Sequence, residues 1–409
     1  MSNLPKGWEL KTLGELSKVK RGASPRPIND PKWWGGDIGW VRISDLTAST
    51  KFLNKTKDKL SSEGVQKSVR INKGEVILSI CATIGRPIIV NTEVCIHDGF
   101  VWFDKLSEKV DREYFYYFLS KKEKELSASR QIGTQGNLNT DIVSRLMFPL
   151  PPLEEQKKIA DILSTVDKKI AFVEENINAT EELKKGLMQK LLTEGIGHTE
   201  FKDSELGRIP ESWEIKRLNS ICNKITDGSH FSPIPNKNTG FYIATVKDML
   251  SNTFNINTCT HIEENDFKLL EINGCKPEIG DILFSKDGTI GKTFVYKDMK
   301  IPLVVLSSIA IIKPISKVLD SLFTMHVLKS NIFYKQLNGL SSGSALKRVV
   351  LKAIKEIKIP FPPLEEQKQI AEILSTVDNK LENLKEKKQY FEELKKGLMQ
   401  KLLTGKIRV

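Results

Sequence analysis

A chain of 409 residues with 63 Lys and Arg against 51 Asp and Glu, net charge +12, is too long for one ordinary core and favours a polyanionic partner over an acidic small substrate. Its five cysteines are odd in number and lack CxxC spacing, which argues against a disulfide framework or a zinc site. The longest apolar run, residues 301–312, is too short to span a bilayer and no apolar signal core follows Met1, so a reducing cytoplasm is the expected location and no membrane is involved.

The first globular segment, 1–148, opens with LPKGWELKTLGEL and then a loop, KVKRGASPRPINDPK, at 18–32. Lys20, Arg21, Arg26 and Lys32 sit there among turn-forming Pro and Asn, a composition suited to phosphate and base-edge contact, against the plainer reading of a solvated loop. Trp34 and Trp40 in PKWWGGDIGWVRISDL are expected in core or rim packing before base stacking. KGEVILSICATIGRPIIV at 73–90 reads as strand, turn, strand, and DREYFYYFLSKKEKEL at 111–126 as helix. A second candidate loop, 127–141, carries Arg130, Gln131, Gln135 and Asn137, types able to make two-pronged hydrogen bonds to purine edges.

PPLEEQKKIADILSTVD at 151–167 then starts a long helix, its prolines blocking helix upstream and its glutamates placing acid in the first turn. Ile159, Leu163, Val166, Ile170 and Val173 follow alternating steps of four and three, the spacing of a coiled-coil seam. The segment returns 211 residues later as PPLEEQKQIAEILSTVD, with seam positions Ile370, Leu374, Val377, Leu381 and Leu384 before Lys388 interrupts the apolar series. EELKKGLMQKLLT at 181–193 recurs at 392–404 with the same offset, so each helix covers about 40 residues and about 60 Å. Periodicity leaves parallel and antiparallel pairing open. Gly186 and Gly397 interrupt both helices at one position, either for close approach of another backbone or by plain inheritance from duplication.

The second globular segment, 195–361, repeats the first faintly. IPESWEIKRLNSI matches the opening, and IGDILFSKDGTIGKTFVY at 279–296 matches 73–90, pairing Thr83-Ile84-Gly85 with Thr289-Ile290-Gly291. The counterpart loop KITDGSHFSPIPNKNTG at 224–240 offers Ser229, His230 and Lys237, and the counterpart of the second loop, 340–350, offers Lys347 and Arg348. Residues 301–312 read as one buried strand and 320–333 as a helix. Gly291-Lys292-Thr293 resembles the end of a phosphate-binding loop, but Lys286 stands where the first glycine belongs and strand, not helix, is expected next. Hydrolase, dinucleotide, metalloprotease and adenine-methyltransferase signatures are missing, and the five histidines lie far apart. The chain is therefore expected to be no enzyme and to hold no cofactor or metal. The positive excess falls in the globular segments: 24 Lys and Arg against 17 acids in 1–148 and 22 against 17 in 195–361, while 149–194 has 7 against 9 and 362–409 has 10 against 8.

Two divergent globular segments, each closed by PxPPLEEQKxIAxILSTVD and a helix ending LKKGLMQKLLT, resemble the specificity subunit of type I restriction-modification enzymes over essentially the whole chain. The resemblance implies an α+β fold of two mixed α/β target recognition domains, 1–148 and 195–361, separated by two long helices, 149–194 and 362–409, that form an antiparallel intramolecular coiled coil with pseudo-twofold symmetry. It implies a protein that reads a bipartite target in double-stranded DNA, with an unread spacer set by the helices. Two methyltransferase subunits carrying S-adenosylmethionine for adenine-N6 methylation, and restriction subunits using ATP and Mg, are then the partners. Two rival readings remain: the recognition partner of a type IIB or IIG-like modification system, and a structural coiled-coil dimeriser without a DNA role.

Overall fold

Two 39-residue helices, Leu153–Leu191 and Leu364–Leu402, begin directly after the proline pairs. The computed structural model describes residues 4–128, 138–340 and 348–409. Two compact units divide the chain: Met1–Glu174 with Glu386–Val409, and Glu175–Lys385. Each unit therefore holds a globular segment, the first part of the helix that follows it, and the last part of the other helix.

In the first unit Glu9–Thr12 pairs antiparallel with Met147–Leu150, bringing the start of the globular segment to its end. A five-stranded sheet runs in the order Lys18–Arg21, Phe100–Asp104, Val76–Ser79, Pro87–Val90, Phe52–Leu53, and a four-stranded sheet in the order Asp58–Leu60, Trp34–Val41, Val94–Ile96, Val69–Ile71. The strands Val76–Ser79 and Pro87–Val90 are buried throughout, matching the apolar runs Val76–Leu78 and Pro87–Val90. Helix Arg112–Ala128 buries Tyr114, Phe115, Tyr117 and Phe118. These rings share one apolar core with Trp8 and Phe148.

The second unit repeats the plan. Glu214–Arg217 pairs with Lys358–Phe361; a four-stranded sheet follows the order Cys222–Asp227, Ile309–Pro314, Ile282–Ser285, Thr293–Val295, and a three-stranded sheet the order Thr260–Ile262, Phe241–Ala244, Leu303–Val305. Two sequence expectations are corrected here. Residues 301–312 form two strands, Leu303–Val305 and Ile309–Pro314, because the polar Ser307 and Ser308 form a turn between them. The helix expected over 320–333 is broken into Ser321–Leu328 and Asn331–Leu340, its first part capped by the Asp320 carboxylate accepting from Phe323 N at 2.8 Å.

What joins globular segment to helix is the Glu-Gln pair of the repeated motif. Buried Glu155 accepts from the Trp8 indole at 3.1 Å and takes a two-pronged bond from Arg408 at 2.6 and 2.8 Å. Glu366 accepts from the Trp213 indole at 2.9 Å and from Ile196 N at 3.0 Å, with His198 Nε2 2.8 Å away. Fully buried Gln156 accepts from Asp111 N at 2.8 Å and donates to the carbonyls of Lys109 and Pro151, both at 2.8 Å. Gln367 does the same with Asp320 N at 2.9 Å, Val318 at 3.0 Å and Pro362 at 2.9 Å.

Within each unit the helices run antiparallel. In the first, Asp167 pairs with Lys395 at 2.6 Å and Glu174 with Lys388 at 3.0 Å, so one helix advances as the other retreats. In the second, Asp378 pairs with Lys184 at 2.5 Å and Lys385 with Glu181 at 2.9 Å. Lys388, the charged residue in the apolar series, is thus an ion-pair position. The seam residues divide by position: Ile159 and Leu163 enter the first core with Leu402 and Leu403, while Ile370 and Leu374 enter the second with Leu191 and Leu192. Val166, Val173, Val377 and Leu381 are buried, and Ile170 and Leu384 half-buried.

The Asp167–Lys395 pair is capped by the Tyr117 hydroxyl, which donates to Asp167 at 2.7 Å. The matching position in the second unit is His326, 3.2 Å from the Ser375 hydroxyl, and burial pushes its imidazole down to about 4. Between pH 6.5 and 4 the unfolded chain therefore binds a proton that the folded chain refuses. The stability this contributes is complete above the ordinary histidine value and is lost as pH falls through that window. Urea unfolding of His326→Gln is expected to be flatter with pH than the parent over that range, by up to about 3 kcal/mol. A Cβ added at Gly186 or Gly397 meets nothing within 4 Å, so the close backbone approach considered for them does not occur among the described residues. Gly186→Ala and Gly397→Ala should each stabilise by about 0.5–1 kcal/mol, measured by chemical denaturation.

Candidate nucleic-acid interface

The first candidate loop leaves its sheet at the same point in both units. Gly22 N donates to Phe100 O at 2.9 Å and Ala23 N to Ile96 O at 3.1 Å; Gly228 N donates to Ile309 O at 3.1 Å and Ser229 N to Val305 O at 2.9 Å. A Cβ on Gly22 would lie 2.2 Å from His97 O, and one on Gly228 2.0 Å from Val305 O, so the backbones meet where only glycine fits. Two further turns gather beside this exit. Ile80 N donates to Gly99 O at 2.8 Å in the first unit, as Lys286 N does to Ser308 O at 2.9 Å in the second.

One of these turns contains the repeated Thr-Ile-Gly. The Ser285 hydroxyl donates to Thr289 O at 2.6 Å and accepts from Lys292 N at 2.8 Å; Ser79 makes the same pair of bonds to Thr83 O and from Arg86 N, the latter at 3.2 Å. The Lys292 ammonium then donates to the carbonyls of Val246 at 3.2 Å and Met249 at 2.8 Å, and the Arg86 guanidinium to Ser49 O at 2.9 Å. Lys292 thus braces backbone, and strand Thr293–Val295 follows it, as the failed phosphate-loop match indicated.

In the first unit Asp98 collects side chains of the first candidate loop. The Ser24 hydroxyl donates to its carboxylate at 2.8 Å, Arg26 lies 3.4 Å away, and Arg21 Nε donates to its carbonyl. Burial works against the ionised carboxyl, but the Ser24 bond and the charges of His97 and Arg21 outweigh it and hold Asp98 below the usual carboxylate range. Burial pushes neighbouring His97 down, and Gly99 N donates to its Nδ1 at 2.9 Å. Below the loop the Trp33 indole donates to Pro27 O at 2.9 Å and the Trp34 indole to Ile28 O at 3.2 Å. Trp40 is buried and Trp34 half-buried, the packing role expected of them, and Trp33 is buried too. Lys32 is exposed over the Trp33 ring at 4.3 Å and pairs with Asp30 at 3.2 Å, while Lys20 lies on the strand, paired with Asp104 at 2.5 Å.

The second unit wires the same place with reversed charge. Asp227 stands where Arg21 does, and Lys286, only 2% exposed, takes the position of Ile80 and reaches Asp227 at 3.2 Å and Asp287 at 3.7 Å. Arg348 pairs with Asp287 at 3.1 Å, and Val349 N donates to Lys286 O at 2.8 Å, tying the chain after the second candidate loop to this cluster. His230 is exposed, 3.3 Å from Asp227, and Lys237 is exposed. Ser229 is 5% exposed and its hydroxyl donates to Phe231 O at 2.6 Å, so it shapes the loop from within where an outward contact was expected. Arg130, Gln131, Gln135, Asn137 and Lys347 lie outside the described residues.

The residues that sequence reading missed are Asp98, Asp227, Lys286 and Asp287. Their only signal is positional: each stands beside a repeated turn, and its partner is distant in sequence. No group of His, Cys, Asp and Glu able to hold a metal ion occurs among the described residues. Nor is any described helix long and apolar enough to cross a membrane.

A repeated framework with unlike side chains at matching loop exits is the plan of a duplicated recognition protein. The chain belongs to the type I restriction modification DNA specificity domain family, whose model matches residues 5–182 and again 210–393. It is 29% identical over 417 residues to the type I restriction enzyme MjaVIII specificity subunit of Methanocaldococcus jannaschii, covering 99% of this chain and 94% of that one. It is 25% identical over 299 residues to the EcoBI specificity subunit of Escherichia coli, covering 69% and 61%. In fold it is similar to the type I restriction-modification S subunit from M. genitalium, with TM-score 0.59, 16% identity, and 98% and 97% of the two chains covered. A chain from a structure on complex assembly and conformational transition of the type I R-M system gives TM-score 0.57 at 18% identity over all of both chains.

Substituting alanine at Gly22 or Gly228 forces two backbones apart at a loop exit. Each change should lower unfolding free energy by at least about 2 kcal/mol, read by chemical denaturation.

Proposed function

We propose that this specificity subunit reads a bipartite target in double-stranded DNA, one half-site with residues 1–148 and the other with 195–361, separated by bases that neither reads. It acts as the non-catalytic part of a complex in which two methyltransferase subunits carry S-adenosylmethionine and methylate adenine N6, and restriction subunits use ATP and Mg. The cytoplasm is its place of work. The observation that supports this best is the pairing of a common scaffold with different chemistry at one exit: Arg21, Ala23, Ile80 and Asp98 in one unit against Asp227, Ser229, Lys286 and Ser307 in the other. Two such heads select different bases.

The proposed contacts are Arg21, Arg26 and Lys32 on one half-site, and His230, Lys237 and Arg348 on the other. Lys20 sits beside the first group, and Arg130, Gln131, Gln135, Asn137 and Lys347 are proposed as further contacts on sequence grounds. Phosphate contacts from lysines such as Lys32 and Lys237 give salt-dependent affinity, and loop donors such as Arg21, Arg26 and Arg348 give base choice.

The chain should be co-expressed with its methyltransferase and N6-methyladenine mapped genome-wide. The expected result is one split motif with a gap of constant length, and Arg26→Ala should lower methylation by relaxing one half only. A single uninterrupted motif, or no methylation dependent on this chain, overturns the reading.

A further inference from the structure

The loop at 228–240 holds two large apolar side chains in water. Phe231 is 55% exposed and Ile234 82%. The loop is not slack. The Ser229 hydroxyl donates to Phe231 O at 2.6 Å and accepts from Phe231 N at 3.0 Å, Pro233 is buried, Asn236 N donates to His261 O at 3.0 Å, and the Thr239 hydroxyl donates to Ile262 O at 2.6 Å. Fixed at both ends and in the middle, the backbone presents Phe231 and Ile234 outward.

Their setting identifies the occupant. The loop begins at Gly228, the match of Gly22, and so stands where the other unit places exposed Arg26 and Lys32. Exposed His230 precedes the apolar pair and exposed Lys237 follows it, donors suited to a polyanion on either side of an apolar contact. A protein interface core is depleted in such charges, whereas a DNA groove offers phosphates at its walls and apolar thymine methyl groups on its floor.

We propose that Phe231 and Ile234 contact thymine methyl groups in the half-site read by the second unit, so that this half-site contains at least one A·T pair selected by apolar contact. The inference rests on the DNA-recognition reading above and adds residues and a base to it.

The test uses the subunit assembled with its methyltransferase, on a duplex carrying the mapped target, with affinity measured by fluorescence anisotropy at several salt concentrations. Phe231→Ala and Ile234→Ala should each weaken specific binding on the order of tenfold, with the slope of log K against log salt unchanged. Lys237→Ala, by contrast, should reduce that slope by about 1. Replacing thymine by deoxyuracil in the second half-site should reproduce the loss in the parent protein and cost the double variant nothing further. Both side chains are exposed, so the variants should keep the parent's thermal unfolding midpoint.

Unchanged specific affinity in the double variant overturns the proposal, as does a second half-site without thymine. Equal loss on thymine and deoxyuracil duplexes together with reduced co-purification of the methyltransferase also overturns it, placing the two residues at a protein contact. A parent complex with no sequence preference sinks the DNA-recognition reading itself, and does so without any variant.

Discussion

The structure depends on a carboxylate in the first turn of each long helix, buried at Glu155 and half-buried at Glu366. Arg408 meets both oxygens of Glu155 and the Trp8 indole donates to one of them; Glu366 is met by the Trp213 indole, Ile196 N and the neighbouring His198. Stripped of those partners, a buried acid costs several kcal/mol. The partners come from two places at once. The tryptophan opens the globular segment, and the arginine or histidine follows the end of the opposite helix. Each unit therefore sets the start of one helix beside the finish of the other, which is antiparallel pairing.

The same pairing explains why the repeat is so strict in length. Asp167 meets Lys395 and Asp378 meets Lys184, at positions fixed relative to Glu155 and Glu366 by the helical rise. An inserted residue would rotate each acid about 100° away from its lysine. The identical spacing of STVD and ELKKG in both copies follows from that geometry. The middle of each helix carries no such double constraint, and there the copies diverge.

Legibility in the sequence tracks the range of the forces involved. Helix starts are local, set by proline and first-turn acid, and were readable to the residue pair. The apolar series was readable as a period, but not its division: Ile159 and Leu163 serve a globular core while Val173 lies along the helix, a difference that depends on tertiary placement. Short strands were located and one miscounted, since Ser307 and Ser308 break an apolar run with little local signal. The candidate site was half legible. Cations at 21, 26 and 348 stood out, but the acids that hold them did not; Asp98 is 77 residues from Arg21 and came to light only through strand pairing.

Those acids change how the basic loops work. A guanidinium already paired with a carboxylate adds little net attraction for phosphate, so Arg21, Arg26 and Arg348 are poor sources of general affinity. What pairing gives is a fixed rotamer. An ordered side chain loses less freedom on binding than a free one, and a fixed donor pays more to meet the wrong base than a mobile one. The charges that attract a polyanion and the charges that discriminate among its sequences then need not be the same. In this chain the positive excess is spread over both globular segments, so under the proposed function the paired residues at the loop exits are left to selection.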